Sequence, residues 1–489
     1  MTVPYGSGNG PSRGRFKGGW PRRVAATLAL ATLAGCVGVP RLGAPAARQD
    51  PAALASARSL AAAPSSWPSD RWWDAYGDAQ LDRLIDQALR DSPTLAEARA
   101  RLRAAEARAE RAGANRYPIV TGNAAAEELK QSYNNGIPAQ FVPQGWNDAG
   151  QVTLNFSYDF DFWGRNRAAL AAATSEARAA AADGAAARLV LSTSIASAYA
   201  ELARLHAERD LAEQALRVRE QSLGLVSRRV ANGLDTMAER RQAEAQVPQA
   251  RAVIAAIDES IGLVRDQLAA LAGAGPDRGL DIARPTAQGP RPFGLPGNLA
   301  ADLIGRRPDI VAARWRAEAA TQRVGIARAA FYPNVNLTAF IGFQALGLGN
   351  LFKAGSDVGS VGPAISLPIF DAGRIRADYK GARAEADAAV ASYDGILVQA
   401  LREVADAATS QRALAARLAE SRQALAASEE AYRLARLRYQ GQLANYLTVL
   451  EAEDRAIAAR RDLAALEARA FSLDVALVRA LGGGFGAGS

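Results

Sequence analysis

One register holds across a whole helical stretch, slips once, and then holds again for the rest of the chain. Ser92-Pro93-Thr94-Leu95 opens an Ala/Arg/Glu-rich stretch closing at Tyr117-Pro118, and Arg307-Pro308-Asp309-Ile310 opens another closing at Tyr332-Pro333, with landmarks 215 positions apart. Further on, Gly164-Arg165 answers Gly373-Arg374, Arg229 answers Arg438, Ala243-Glu244 answers Ala452-Glu453 and Gly273 answers Gly482, now 209 apart. Six residues are lost between the strands of the second copy, so the chain is two tandem repeats of helix, strand pair, very long helix and shorter helix.

With 489 residues and 49% hydrophobic content, the chain can bury a large core. Ala, Leu, Arg and Glu dominate the periodic stretches, which makes long helices the default. The formal charge of +8 is concentrated at the start: Arg13, Arg15, Lys17, Arg22 and Arg23 precede any acidic residue, and without them the charge is +3. Arginine and glutamate interspersed along the helices leave no one-signed face for a phosphate backbone, so nucleic acid is not expected as a partner.

The basic start leads into an apolar run, 24–33, too short to span a bilayer but suited to a secretory signal. It ends in Leu33-Ala34-Gly35-Cys36, which resembles a lipoprotein processing box with Cys36 as the lipid attachment residue and palmitate among the acyl chains expected. Cys36 is the single cysteine, so no disulfide forms within the chain. One acyl group holds a protein to a membrane only marginally, so a second membrane contact is expected.

No mature segment has eighteen consecutive apolar residues, which leaves a closed β-barrel as the spanning option. Val152, Leu154, Phe156, Tyr158 and Phe160 alternate with Thr153, Asn155, Ser157 and Asp159, and Val335, Leu337, Ala339, Ile341 and Phe343 repeat the habit with Phe340 as the exception. The spacing predicts strands over 119–128, 151–162, 334–344 and 360–370, long enough to cross a bilayer at a tilt. The segments Gln131 to Asn147 and Leu346 to Gly359 read as exposed turns. Four strands cannot close a transmembrane barrel, which needs about eight, so several copies must contribute to one wall.

Residues 164–232 and 373–440 run without proline for 69 and 68 positions, rods of about 100 Å at roughly 1.5 Å per residue. Their apolar spacing predicts coiled-coil-like packing. Return helices follow over 236–272 and 445–481, and the helix from Thr94 to Ala114 supplies the remaining length of the first return. The expected organisation is a signal peptide (1–35), a lipid-anchored linker (36–70), a first repeat (71–284), a second repeat (285–482) and a tail (483–489).

Several motifs resemble the TolC-type outer membrane efflux proteins, in particular the lipoprotein branch serving drug-type pumps. They are Arg306-Arg307-Pro308-Asp309-Ile310, Gly325 to Pro333, Asp161-Phe162-Trp163-Gly164-Arg165, Pro368 to Arg374, Arg438-Tyr439 with Asn445-Tyr446-Leu447, and Leu481-Gly482-Gly483-Gly484-Phe485. The resemblance covers essentially the whole mature chain. It implies a mainly α fold with a β-barrel contribution: a homotrimer whose twelve-stranded barrel in the outer membrane lipid stands over a periplasmic α-helical tunnel. It also implies docking to a periplasmic adaptor (membrane fusion) protein and an inner-membrane RND-type pump, in a tripartite system exporting small molecules.

In that family acidic rings narrow the periplasmic end just beyond the second hairpin turn, and the matching positions are Thr448 and Glu451, with Glu453 and Asp454 nearby. A ring of carboxylates would attract cations and oppose anions. Alternatively, Glu451 lies on a solvated helix face and pairs with Arg455.

Enzyme chemistry finds no support. His206 is the single histidine, no glycine-rich phosphate loop is present, and two methionines with one histidine offer little to soft metals, so neither catalytic residue, cofactor nor metal is expected. The alternatives are a channel for protein or peptide secretion and a pore-less, lipid-anchored coiled-coil scaffold.

Overall fold

A computed structural model describes residues 38–286 and 294–486. The signal peptide, Cys36 and the end of the tail lie outside the described residues. The chain divides into a strand unit, which includes 117–165 and 326–380, and a helical unit of 44–116, 166–325 and 381–489.

In the strand unit β1 (Ile119–Leu129), β2 (Asn147–Asp159), β3 (Asn334–Leu346) and β4 (Asp357–Ser366) form one antiparallel sheet in chain order. The registers Thr153↔Asn123 and Thr153↔Gly342 fix it. Val152 and Leu154 are exposed, whereas Thr153 between them is buried beneath β3. Gly342 makes that approach possible, because a Cβ there would stand 2.1 Å from the Val152 carbonyl oxygen. β1 and β4 each have one unpaired edge among the described residues, and every residue of β1 is exposed.

Two strands sit differently from the pattern in the sequence. β2 covers 147–159 rather than 151–162, because Asn147 to Gln151 already pair with Ala125 to Leu129. β4 covers 357–366 rather than 360–370. Its first residues pair with Gly342 and Phe343, and Pro368 supplies no N–H to continue the ladder.

The longer helices come in matched lengths. α1 (Ala79–Asp91) precedes α2 (Pro93–Ala114), α3 (Arg165–Ala231) and α4 (Met237–Leu271), and a short α5 (Asp277–Leu280) closes the first half. α6 (Leu299–Arg306) precedes α7 (Pro308–Ala329), α8 (Arg374–Gln440) and α9 (Tyr446–Ala480). α3 and α8 have 67 residues each, and α4 and α9 have 35 each, so the long helices of the two copies match. α1 and α6 do not stand out in the sequence pattern. No helix of the described residues is long and apolar enough to cross a membrane.

The helical unit is cored where the short helices meet the rods. Trp72, Trp73, Tyr76, Leu81, Leu84 and Ile85 pack with Tyr199 and Leu202 of α3, Leu268 of α4 and Val475 of α9. Leu303 and Ile310 pack with Leu397 and Val404 of α8 and Leu477 of α9. Each such side chain contributes about 1.5–3 kcal/mol by leaving water. Asp78 caps α1 and accepts from the Tyr199 hydroxyl at 2.7 Å and the Thr286 N–H at 2.8 Å. Burial alone would raise its carboxyl, but the bonds from Tyr199, Thr286, Gln80 and Leu81 outweigh it and hold the value low.

Candidate functional site

The two turns between rod and return helix share one backbone path. After α3 the N–H groups of Gly233 and Leu234 reach back to Val230 and Arg229, both at 2.9 Å. After α8 those of Gln442 and Leu443 reach Tyr439 and Arg438 at 3.1 and 2.8 Å. Gly233 (φ 72°) and Gln442 (φ 60°) both take the left-handed position, so the second turn places a side chain where glycine is the comfortable residue. Thr236 then caps α4 in a capping box with Glu239, and Asn445 caps α9.

At these turns the copies stop being equivalent. Asp235 stands where the second copy has Ala444, and Tyr439 where the first has Val230. Arg229 donates from Nε and Nη2 to the two oxygens of Asp235 at 3.0 and 3.2 Å, with both side chains largely buried. The Tyr439 hydroxyl also donates to Asp235, and the Arg229 guanidinium lies 4.3 Å from the Tyr439 ring centre. Burial, then the bond to Asp235, pushes the Tyr439 phenol up. This pairing joins the first turn to the end of α8. It escapes a residue-by-residue search, but the breaks in repeat symmetry at 235 and 439 mark it.

The four positions singled out in the sequence fall in three environments. Thr448 is exposed, and its N–H (3.1 Å) and hydroxyl (2.9 Å) both bond the Asn445 side chain. Glu451, one turn on, is exposed and has no ion-pair partner among the described residues; the pair with Arg455 does not form. Glu453 is only 2% exposed: it accepts from the Ser222 hydroxyl at 2.9 Å, and its other oxygen has no partner among the described residues. Burial pushes its carboxyl up, with Ser222 and Arg219 opposing. Asp454 accepts from Arg219 Nη2 at 2.9 Å and remains half-exposed. Glu453 and Asp454 thus tie α9 to α3, and Thr448 and Glu451 do not.

The remaining motifs of the sequence are joints. Arg307 is 7% exposed and donates to both oxygens of Asp309, to Glu403 at 2.7 Å and to the Ala480 carbonyl at 3.1 Å, locking the start of α7 and the end of α9 to the middle of α8. In the strand unit Trp163 stacks on Tyr332 at 4.4 Å and donates to the Pro333 carbonyl at 2.8 Å. Exposed Phe162, Ile369 and Phe370 follow the C-terminal ends of β2 and β4, while exposed Phe141, Trp146 and Phe352 occupy the loops before β2 and β4. Two groups of exposed, mostly aromatic side chains, one at each end of the strands, match the pattern of the two membrane interfaces of a barrel. His206 lies in α3 with its pKa lowered by burial and by Arg265 and Arg284. No group of three or more His, Cys, Asp or Glu among the described residues could hold a metal ion.

The sequence profile of the outer membrane efflux proteins matches residues 84–274 and 299–483, one match in each repeat. The chain belongs to the outer membrane efflux protein family. It is similar to the fusaric acid resistance protein FusA of Burkholderia cepacia, 37% identical over 73% of this chain and 69% of FusA. Similar too is the multidrug resistance outer membrane protein MdtP of Escherichia coli (strain K12), 32% identical over 93% of this chain and 95% of MdtP. Among solved structures, the outer membrane protein VceC of Vibrio cholerae superposes with a TM-score of 0.81 at 50% identity, covering 86% of this chain and all of VceC. This outer membrane efflux protein is therefore of the TolC type, an efflux channel of the outer membrane with helical tunnel and strand wall.

Proposed function

We propose that three copies of this efflux protein pool their four-stranded sheets into a twelve-stranded barrel whose helices continue as a periplasmic tunnel. A periplasmic adaptor and an inner-membrane RND-type pump load the tunnel with small organic molecules, drug-type compounds and organic acids among them. The observation that carries this is the open sheet: four strands long enough to cross a bilayer, with two unpaired edges, a topology stable in lipid only when the edges meet those of other copies. Each chain supplies four strands, and three copies exceed the minimum for closure.

In this reading the protein is a passive conduit with no chemical step. Thr448 and Glu451, exposed on one face of α9, line the periplasmic entrance, and three copies of Glu451 form its charged ring. Glu453 and Asp454 hold α9 against α3, and the contact of Arg229 and Tyr439 with Asp235 keeps the entrance narrow. The repeats at 71–284 and 285–482 each contribute one strand pair and one helical hairpin, the tail from 483 seals the second, and lipid on Cys36 after removal of 1–35 adds the anchor. Single-channel recording of the purified protein in planar bilayers tests the proposal. Discrete cation-preferring steps are expected, with the preference reduced by Glu451→Gln; bilayers that stay silent at every voltage would leave the pore-less scaffold as the better account.

A further inference from the structure

Beside the second turn, α3, α8 and the start of α9 enclose a pocket of about 530 Å³, within the size range of small-molecule sites. Arg217 and Arg228 line it from α3 and Arg436 from α8, while Tyr432, Tyr439 and Tyr446 supply the aromatic part of the lining. The lining carries an excess of positive charge. Some arginines elsewhere on the helices are matched with carboxylates: Arg204 with Glu201 and Glu208, Arg209 with Glu213 and Asp258, while Arg284, beyond the helices, meets Asp210. The three pocket arginines are exposed and have no carboxylate partner among the described residues. Glu220 is the one carboxylate in the lining, and Arg251 already holds it at 3.0 Å.

Three guanidiniums without carboxylate partners line one concavity, and an anion bound there offsets their like charge. The guanidinium fork fits a carboxylate through two parallel bonds, and the partly exposed Tyr432, the one lining tyrosine that is not buried, offers an edge or face to a flat ring. We propose that this pocket binds small aromatic carboxylates, giving the conduit its own site for organic acids. The inference rests on the efflux reading and deepens it.

Calorimetric titration of the full chain, purified in detergent, is the test, with picolinate as probe and its neutral amide, picolinamide, as control. The acid is expected to bind about tenfold tighter than the amide, the difference a charge-assisted bidentate contact produces. The double variant Arg228→Gln/Arg436→Gln is expected to lose that preference and keep the weak affinity for the amide, while Arg433→Gln, whose side chain pairs with Glu430 outside the pocket, keeps the preference. Equal binding of acid and amide, or an undiminished preference in the double variant, overturns the proposal. Displacement of picolinate by equimolar inorganic phosphate would make the pocket a general anion site, and displacement by an equimolar glutamate hexapeptide would assign it to an acidic protein segment; either also overturns it. Conductance of the same preparation reads the conduit separately, so open channels without acid preference would sink the pocket alone.

Discussion

Glu453 is the carboxyl whose burial has the clearest measurable consequence. Its folded-state value is raised, chiefly by burial, above the ordinary value of 4.5, so the folded chain holds this proton more tightly than the unfolded chain. The stabilisation is therefore full at pH values below the ordinary one and is lost as pH rises through the folded value. Arg219, Asp454, Tyr432 and Tyr446 are the charged and titratable groups facing it; Arg219 and the Tyr432 hydroxyl favour the ionised form, as does the Ser222 hydroxyl, and burial outweighs them. Glu453→Gln keeps an acceptor for Ser222 and removes the charge, so it is expected to raise thermal stability at pH 8 by on the order of 1 kcal/mol, with the gap closing towards pH 4. Melting curves across that range check it; a gap independent of pH would mean that folding leaves the carboxyl's proton affinity unchanged. Tyr439→Phe removes one bond to Asp235 and leaves the Arg229 pair, a loss of about 1 kcal/mol. Bilayer recordings should then show more frequent open events than the parent, and an unchanged closed fraction would deny this contact a part in closure. The sequence picks out Thr448, Glu451, Glu453 and Asp454 as one acidic neighbourhood, but α3 decides which of them are buried. Partners such as Ser222 and Arg219 lie more than 200 positions away and carry no local signal.

Among the elements, helices were far more legible than strands. Caps and breakers at Thr236, Asn232-Gly233 and Gly441 put the ends of α3, α4, α8 and α9 within a residue of their observed places, because helix bonds are local and their stop signals sit in the same few residues. Strand ends depend on a partner. Residues 147–150 and 357–359 join the sheet because β1 and β3 are long enough to meet them, and no alternation in those residues announces it. α1 and α6 went unread because Asp78 and Asn298 open short segments whose apolar faces are defined only by the rods they cover. The glycines at 273 and 482 are different: their repeat spacing was visible and their cause was not. A Cβ on Gly273 would stand 2.8 Å from the Asp91 carbonyl oxygen, and one on Gly482 2.0 Å from that of Arg306, so in each copy the end of the return helix abuts the end of the short one. Gly482 also has φ 91°, closed to other residues without strain. Gly482→Ala is expected to destabilise the helical unit by about 2–4 kcal/mol through overlap and strain together, read as a lowered midpoint in urea. A midpoint within error of the parent would show that α6 can move away at little cost.

At the scale of the whole molecule, the open sheet decides how many chains make one functional particle. β1 and β4 offer unpaired N–H and C=O groups along 11 and 10 residues, and in hydrocarbon each would cost several kcal/mol if left unmet. In the proposed barrel these groups are met by neighbouring copies, with β1 of one copy paired to β4 of the next. The sequence provides a clean background for testing this, because Cys36 is the single cysteine and Cys36→Ser leaves none. On that background, one cysteine placed in β1 at Thr121, Asn123 or Ala125 is combined with one in β4 at Gly359, Val361 or Pro363, and the protein is oxidised in the membrane. In the pair whose registers coincide, denaturing gels are expected to show a ladder ending at three chains, and each single-cysteine partner alone should give no ladder. A ladder that stops at two would mean a closed wall of eight strands, and one that continues past three would mean a wider ring; either outcome replaces the trimer while keeping edge pairing. Absence of cross-links from all nine pairs, with the protein folded and in the outer membrane, would remove edge-to-edge closure itself, and with it the reason for a continuous passage from the helices through the sheet.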